Sequence, residues 1–221
     1  MTDSTLSRQS RPELEAAKLA VQEFQVRRLK RDFRDLRMSP EYGPFSDFFA
    51  SDIYSARDFT ERNESFRRLT NQFQAILGQE IYEGLIRLLD LHALTDRLDD
   101  ELAKVLIDMG VPTQFTESQY EAAYRQLDNY DERYLQIELI IESLEFTHRI
   151  SQMTFIGVVL KSARIATGLF SKDRTVELLD KAYRTLRDIR NIDPLVHEIR
   201  SREITRLDRI FDRTDGSIAS A

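Results

Sequence analysis

QEIYEGLIRLLDLHALTDRLDDELAKVLIDM, residues 79–109, decides the fold class of this chain. Apolar side chains recur at Ile81, Leu85, Leu88, Leu91, Leu94, Leu98, Leu102, Val105 and Met109, in steps of three and four. Those steps put them on one face of an amphipathic helix. Gly110 and Pro112 end it, because glycine takes the left-handed turn that closes a helix and proline cannot extend one.

The same period runs outward in both directions. Upstream, Ser10 and Pro12 open a helix to about Arg37, with Leu14, Ala17, Val21, Phe24, Leu29, Phe33 and Leu36 on one face. Met38 to Pro44 breaks it. A short helix over roughly Phe45–Tyr54 buries Phe45, Phe48 and Phe49, and another runs from Asp58, a candidate N-cap, to about Leu77. Downstream, Thr116 and Gln119 form a capping box for a helical stretch over about 117–152, with a break near Asp128–Asp131. Met153–Thr167 is apolar on more than one side and carries Gly157, Ser162, Ala163 and Ala166, which suits a central helix approached closely by others. Ser171 to about Arg190 is amphipathic through Val176, Leu179, Ala182, Tyr183, Leu186 and Ile189. Asp193-Pro194, read as a cap followed by proline, then starts a last helix to about Arg213, whose exposed side alternates charge.

No stretch has the strand period and no repeat occurs at fixed spacing. The expectation is an all-α fold, a single bundle-like domain of seven to nine helices over residues 11–213, with disordered termini at 1–10 and 214–221. Composition agrees. Seven Gly and five Pro in 221 residues leave few turns, and the length suffices for a full hydrophobic core.

Charge and cysteine usage exclude several functions. The net charge is −6 and the isoelectric point near 5.3, which argues against bulk electrostatic binding to nucleic acid. One local exception is the basic half of the first helix, VRRLKRDFRDLR, a candidate patch for nucleic acid or an anionic membrane. Its alternative is a solvated helix back with Arg and Lys stems over apolar neighbours. With no cysteine, disulfides, thiol catalysis, Cys-ligated zinc and iron–sulfur clusters are out. The first residues have no apolar signal core, and the longest near-apolar run, Met153–Leu160, falls short of the ~20 residues of a membrane span. A cytoplasmic protein is expected.

The catalytic inventory is short. Of the histidines His92, His148 and His197, His148 forms a Glu-x-x-His pair with Glu145, the spacing used in di-iron helical bundles. No second such pair exists, so an iron site would need His92, Asp90 or Asp96 as further ligands. The competing reading is a His148 that hydrogen-bonds at a helix interface. There is no Gly-x-Ser-x-Gly elbow and no glycine-rich phosphate loop. No cofactor is implied.

The stretch Tyr42–Leu69, YGPFSDFFASDIYSARDFTERNESFRRL, interleaves aromatics with charge. Its phenylalanines fall at helical spacing and read as core. Asp52, Tyr54, Arg57, Asp58 and Arg62 surround a helix junction, where guanidinium–carboxylate pairs tie one helix end to the next. Asp52, Tyr54, Arg57 and Arg62 are therefore the candidate binding residues, facing a partner or a small anion, against the plainer reading of a structural corner.

Phe48-Phe49-x-x-Asp52-Ile53-Tyr54-x-x-x-Asp58-Phe59-x-x-Arg62 resembles the hallmark of an uncharacterised bacterial all-helical family, whose pattern reads FFLxDLYGPxDFxxRD. The likeness extends to Leu88–Leu102, Phe155-Ile156-Gly157 and Ile199–Glu203. Ala50 departs from the pattern's leucine, Ser55-Ala56 from its Gly-Pro and Asn63 from its final aspartate, and a later Gly-Pro step is missing. The resemblance implies a shared helical fold and carries no activity. The leading functional expectation is a non-enzymatic protein-interaction or regulatory module, as a homo-oligomer or an adaptor. The alternatives are an iron oxidase built on Glu145 and His148, and binding through the basic face of the first helix.

Overall fold

In the computed structural model, which describes residues 10–49, 78–158, 161 and 174–213, the helical period of the sequence becomes helix after helix. They are α1 (Arg11–Asp32), α2 (Arg34–Met38), α3 (Gly43–Phe48), α4 (Gln79–Asp108), α5 (Glu117–Leu127), α6 (Tyr130–Ser151), α7 (Arg174–Arg187) and α8 (Asp193–Ile210), with residues 154–158 also helical. No strand occurs among the described residues. The chain is all-α and forms a single domain. None of the described helices is long and apolar enough to cross a membrane.

α4 and α6 hold the bundle together. The 30-residue α4 is about 45 Å long at 1.5 Å per residue, and packs against α1, α5 and α6. α6 in turn carries α7 and α8, and α3 bridges α2 and α7. Three apolar clusters result. In the first, Ala17 and Val21 of α1 meet Leu102, Ala103 and Leu106 of α4 and Tyr120 and Ala123 of α5. The second joins Phe33, Leu36, Phe45 and Phe48 to Ile141 and Leu144, Leu186 and Ile189, and Leu195 and Val196. The third gathers Ile81, Phe146, Ile156 and Tyr183. At its edge Gly84 lets α4 come so close to α6 that any Cβ there would overlap the Phe146 ring.

The local signals of helix ends hold in most places. Gly110 stands at φ 74°, closing the turn after α4. The capping box is complete: Thr116 Oγ1 accepts from the Gln119 amide at 3.3 Å, and Gln119 Oε1 accepts from the Thr116 amide at 2.8 Å. The break expected near Asp128–Asp131 occurs at Asp128, which takes the left-handed conformation at φ 49° and separates α5 from α6.

Some expectations need correction. The first helix does not run unbroken to Arg37. It ends at Asp32, and Phe33 (φ −111°, ψ 29°) turns the chain into α2. The turn sends Phe33 and Leu36 into the second cluster, and the Asp32 carbonyl accepts from Arg202 of α8 at 2.9 Å. Ser10 occupies the N-cap without a side-chain hydrogen bond. At α8 the first-turn amide of Asp193 is satisfied by Asn191 Oδ1 at 3.0 Å, so Asp193 itself is not the cap. On α4 the face rotates relative to the simple count: Leu89 and Leu106 are buried, while Leu88, Leu91 and Leu94 are half-buried. The described start of Met153–Thr167 is one-sided, with Ile156 buried and Phe155 and Val158 exposed. The Asp58–Leu77 helix, the later residues of Met153–Thr167 with Ser162, Ala163 and Ala166, and both termini lie outside the described residues.

Candidate functional site

Between the first and second clusters lies a cavity of about 120 Å³, walled by side chains of α1, α2, α3, α5, α6 and α8. Much of its lining is apolar, Phe33, Phe45, Ile140, Leu144, Leu195 and Ile199 among it. The rest is polar, an arrangement that costs free energy unless each group finds a partner.

The polar wall is a wired network. Gln25 follows Val21 by one turn of α1, on its inward face, and is only 3% exposed. Its Nε2 donates to Asp99 Oδ1 of α4 at 3.1 Å and to the Tyr120 hydroxyl of α5 at 3.2 Å. Tyr120 donates onward to Tyr124 at 3.2 Å. Arg133 of α6, 2% exposed, donates to the Leu98 carbonyl at 2.9 Å and to Gln136 Oε1 at 3.1 Å, with its guanidinium over the Tyr124 ring. Gln136 passes the chain on to Thr95 at 2.9 Å. Arg28 of α1 pairs with Glu203 of α8. Arg206 of α8 donates to Glu117 at 2.9 Å, and Arg31 of α1 grips the same carboxylate with two bonds of 3.1 Å.

Burial and charge set the protonation of these groups. Burial pushes the Asp99 carboxyl above the ordinary carboxylate range, opposed by Arg133 and by the Gln25 hydrogen bond. Burial likewise raises the Tyr120 hydroxyl well above its usual value. For Arg28, burial works against the charge, and Glu203 more than offsets it. The hydrogen bonds from Arg31 and then Arg206 hold Glu117 at about 2. Buried polar atoms of these residues without a hydrogen bond include Gln25 Oε1, Arg28 Nε and Arg206 Nη2, the last 3.4 Å from Glu121 Oε1.

The residues singled out from sequence fall elsewhere. Asp52, Tyr54, Arg57 and Arg62 lie outside the described residues. Glu145 is exposed on α6, while the His148 ring Nε2 lies 2.9 Å from the Ile189 carbonyl, fastening α6 to the end of α7. Asp90 is exposed, His92 is half-buried, and Asp96 pairs with Lys18 at 2.6 Å. Among the described residues no three His, Asp or Glu side chains converge as metal ligands. In the basic half of the first helix, Arg27, Arg28, Arg31 and Arg37 each face a carboxylate of the same chain: Glu23, Glu203, Glu117 and Asp47.

The cavity residues escaped the sequence reading, although one signal was present. Gln25 stands midway between Val21 and Leu29, polar at a position where the helical face calls for an apolar side chain. Arg133 does the same one turn before Ile137.

A family model described as Domain of unknown function (DUF8198) matches residues 5–217. The chain belongs to this family. The match takes in α1 to α8, and so every described wall of the cavity belongs to the DUF8198 domain. It accords with the likeness to an uncharacterised helical family read from the sequence. No curated protein and no solved structure matches the chain.

Proposed function

We propose that this DUF8198 chain is a non-enzymatic regulatory module that acts through protein contacts and takes its input as a small molecule in the cavity. The observation behind this reading is where the cavity lies. A molecule held there touches six helices, from α1 to α8, at once. Whatever conformation it fits best is thereby favoured over others, which is the thermodynamic requirement for a ligand-biased switch. The test is hydrogen exchange with 1-octanol as an apolar probe. Slower exchange across α1, α6 and α8 is expected; unchanged exchange and unchanged melting up to the probe's solubility limit would remove the small-molecule input.

The output belongs to the surface. Met38, Leu135 and Val158 are large apolar side chains left more than half exposed, and Asp52, Tyr54, Arg57 and Arg62 are the residues we propose for recognition of a partner. The module works in the cytoplasm as a homo-oligomer in this reading. Light scattering after size exclusion checks the oligomer, and a clean monomer at micromolar concentration would sink that part.

A further inference from the structure

We infer that the molecule this cavity takes is uncharged, the size of a single ring, and carries one hydrogen-bond acceptor that meets the Tyr124 hydroxyl. The inference rests on the regulatory reading above and names the chemistry of its input.

Size comes first. A cavity of about 120 Å³ is close to the ~150 Å³ of a dry apolar cavity that takes benzene. Phe33, Phe45, Ile140, Leu144 and Leu195 are in its lining and suit an apolar body of about one ring.

Charge comes second. The arginines that line the cavity are spent inside the chain. Arg28 is paired with Glu203, Arg37 with Asp47 at 2.8 Å and Arg206 with Glu117 at 2.9 Å. Arg133 gives its guanidinium to the Leu98 carbonyl and to Gln136. Lys30 also lines the cavity, on a flexible stem whose charged head is most stable in water. A charged ligand would have to break a pair, draw the Lys30 head out of water, or enter uncompensated. Burying an unpaired charge costs far more than burying a carbonyl. An uncharged ligand meets none of these costs.

The acceptor follows from one run of hydrogen bonds. Gln25 Nε2 donates to Asp99 Oδ1 at 3.1 Å and to the Tyr120 oxygen at 3.2 Å. Tyr120 in turn donates to the Tyr124 oxygen at 3.2 Å. A hydroxyl has one proton to give, and the last of the run, that of Tyr124, meets no acceptor among the described residues. Gln25, Tyr120 and Tyr124 all line the cavity, and of the three only Tyr124 is no more than half-buried. A ligand oxygen that accepts from Tyr124 ends the run. It is thereby connected through α5 and α1 to Asp99 of α4.

The experiment compares four one-ring probes on the full chain at pH 7: acetophenone, toluene, benzoate and benzylamine, read by calorimetric titration and melting temperature. Acetophenone and benzoate have nearly the same shape and differ in charge. The expected order is acetophenone tightest, then toluene, with benzoate and benzylamine weakest. Tyr124→Phe keeps the ring beneath the Arg133 guanidinium and removes the hydroxyl. It should bind acetophenone about tenfold more weakly, with toluene unchanged. Circular dichroism first establishes that the variant is folded, and the order of probes on the parent chain decides without it. If benzoate or benzylamine matches acetophenone, as it would were Lys30 or Glu203 to take the head group, the uncharged assignment is overturned while the small-molecule reading stands. If toluene matches acetophenone, or if Tyr124→Phe binds acetophenone as well as the parent chain does, Tyr124 is not the contact and the inference is overturned. If no probe binds, both fall.

Discussion

Glu117 shows what a single side chain does in this bundle. Its carboxylate receives Arg31 from α1 and Arg206 from α8, and is held at about 2 against an ordinary value near 4.5. A carboxyl lowered on folding stabilises the fold fully above its unfolded pKa and loses that contribution as pH falls toward its folded pKa. Glu117→Gln should therefore lower the melting temperature at pH 7, with the gap from the parent closing between about pH 4.5 and 2. The side chain is 39% exposed, so solvent screening cuts the loss to about 1 kcal/mol. Scanning calorimetry across that pH range decides it. Gly84 is governed by space instead. Replacing a mid-helix glycine with alanine ordinarily gains about 1 kcal/mol, but the new methyl would overlap the buried Phe146 ring. Overpacking costs about 1–3 kcal/mol, so Gly84→Ala should destabilise on balance. Phe146→Leu in the same chain should recover part of the loss in urea melts.

Among elements, α5 is short at 11 residues and depends on its ends. Its capping box satisfies amides that the helix itself cannot, and Thr116→Ala should cost about 1 kcal/mol, measured by chemical denaturation. That cap was legible because both of its residues lie within four positions of one another. The same is true of the Gly110 stop and of the break at Asp128. The break at Phe33 was not legible: nothing local opposes the helix there, and the Asp32 carbonyl is taken up by Arg202, remote in sequence. The cavity's polar wall was hidden for the same reason. Gln25 looks like a flaw in an apolar face until Asp99 and Tyr120 arrive from two other helices.

At the scale of the whole molecule, α4 and α6 contribute to more than one cluster and meet at Gly84 and Phe146. Clusters sharing their helices cannot melt independently, so the described bundle should unfold in one cooperative step. The chain has eight tyrosines and no tryptophan. Tyr120 and Tyr124 report on the first cluster and the cavity, and Tyr183 on the third. Thermal curves followed at 222 nm and in the near-ultraviolet tyrosine bands should coincide; two separated midpoints would contradict the shared-helix argument. The fold class was readable because a helical period needs no knowledge of neighbours, whereas the cavity exists only through the way those neighbours fit.

α8 meets its surroundings through charge as well as through Leu195, Leu207 and Ile210. Arg200 clasps Glu138 of α6, Arg202 clasps Asp35 of α2, Arg209 binds Glu121 of α5, and Glu203 receives Arg28 of α1. Any dissolved salt screens these clasps, and a kosmotropic one acts on the apolar contacts in the opposite sense. Raising ionic strength from 0.1 M to 1 M shortens the screening length from about 10 Å to about 3 Å, which loosens the exposed clasps. Sulfate at the same concentration also strengthens apolar burial, an effect that chloride lacks. One wall of the cavity is thus adjustable by the choice of anion in the buffer, and chloride should slacken α8 where sulfate leaves it seated.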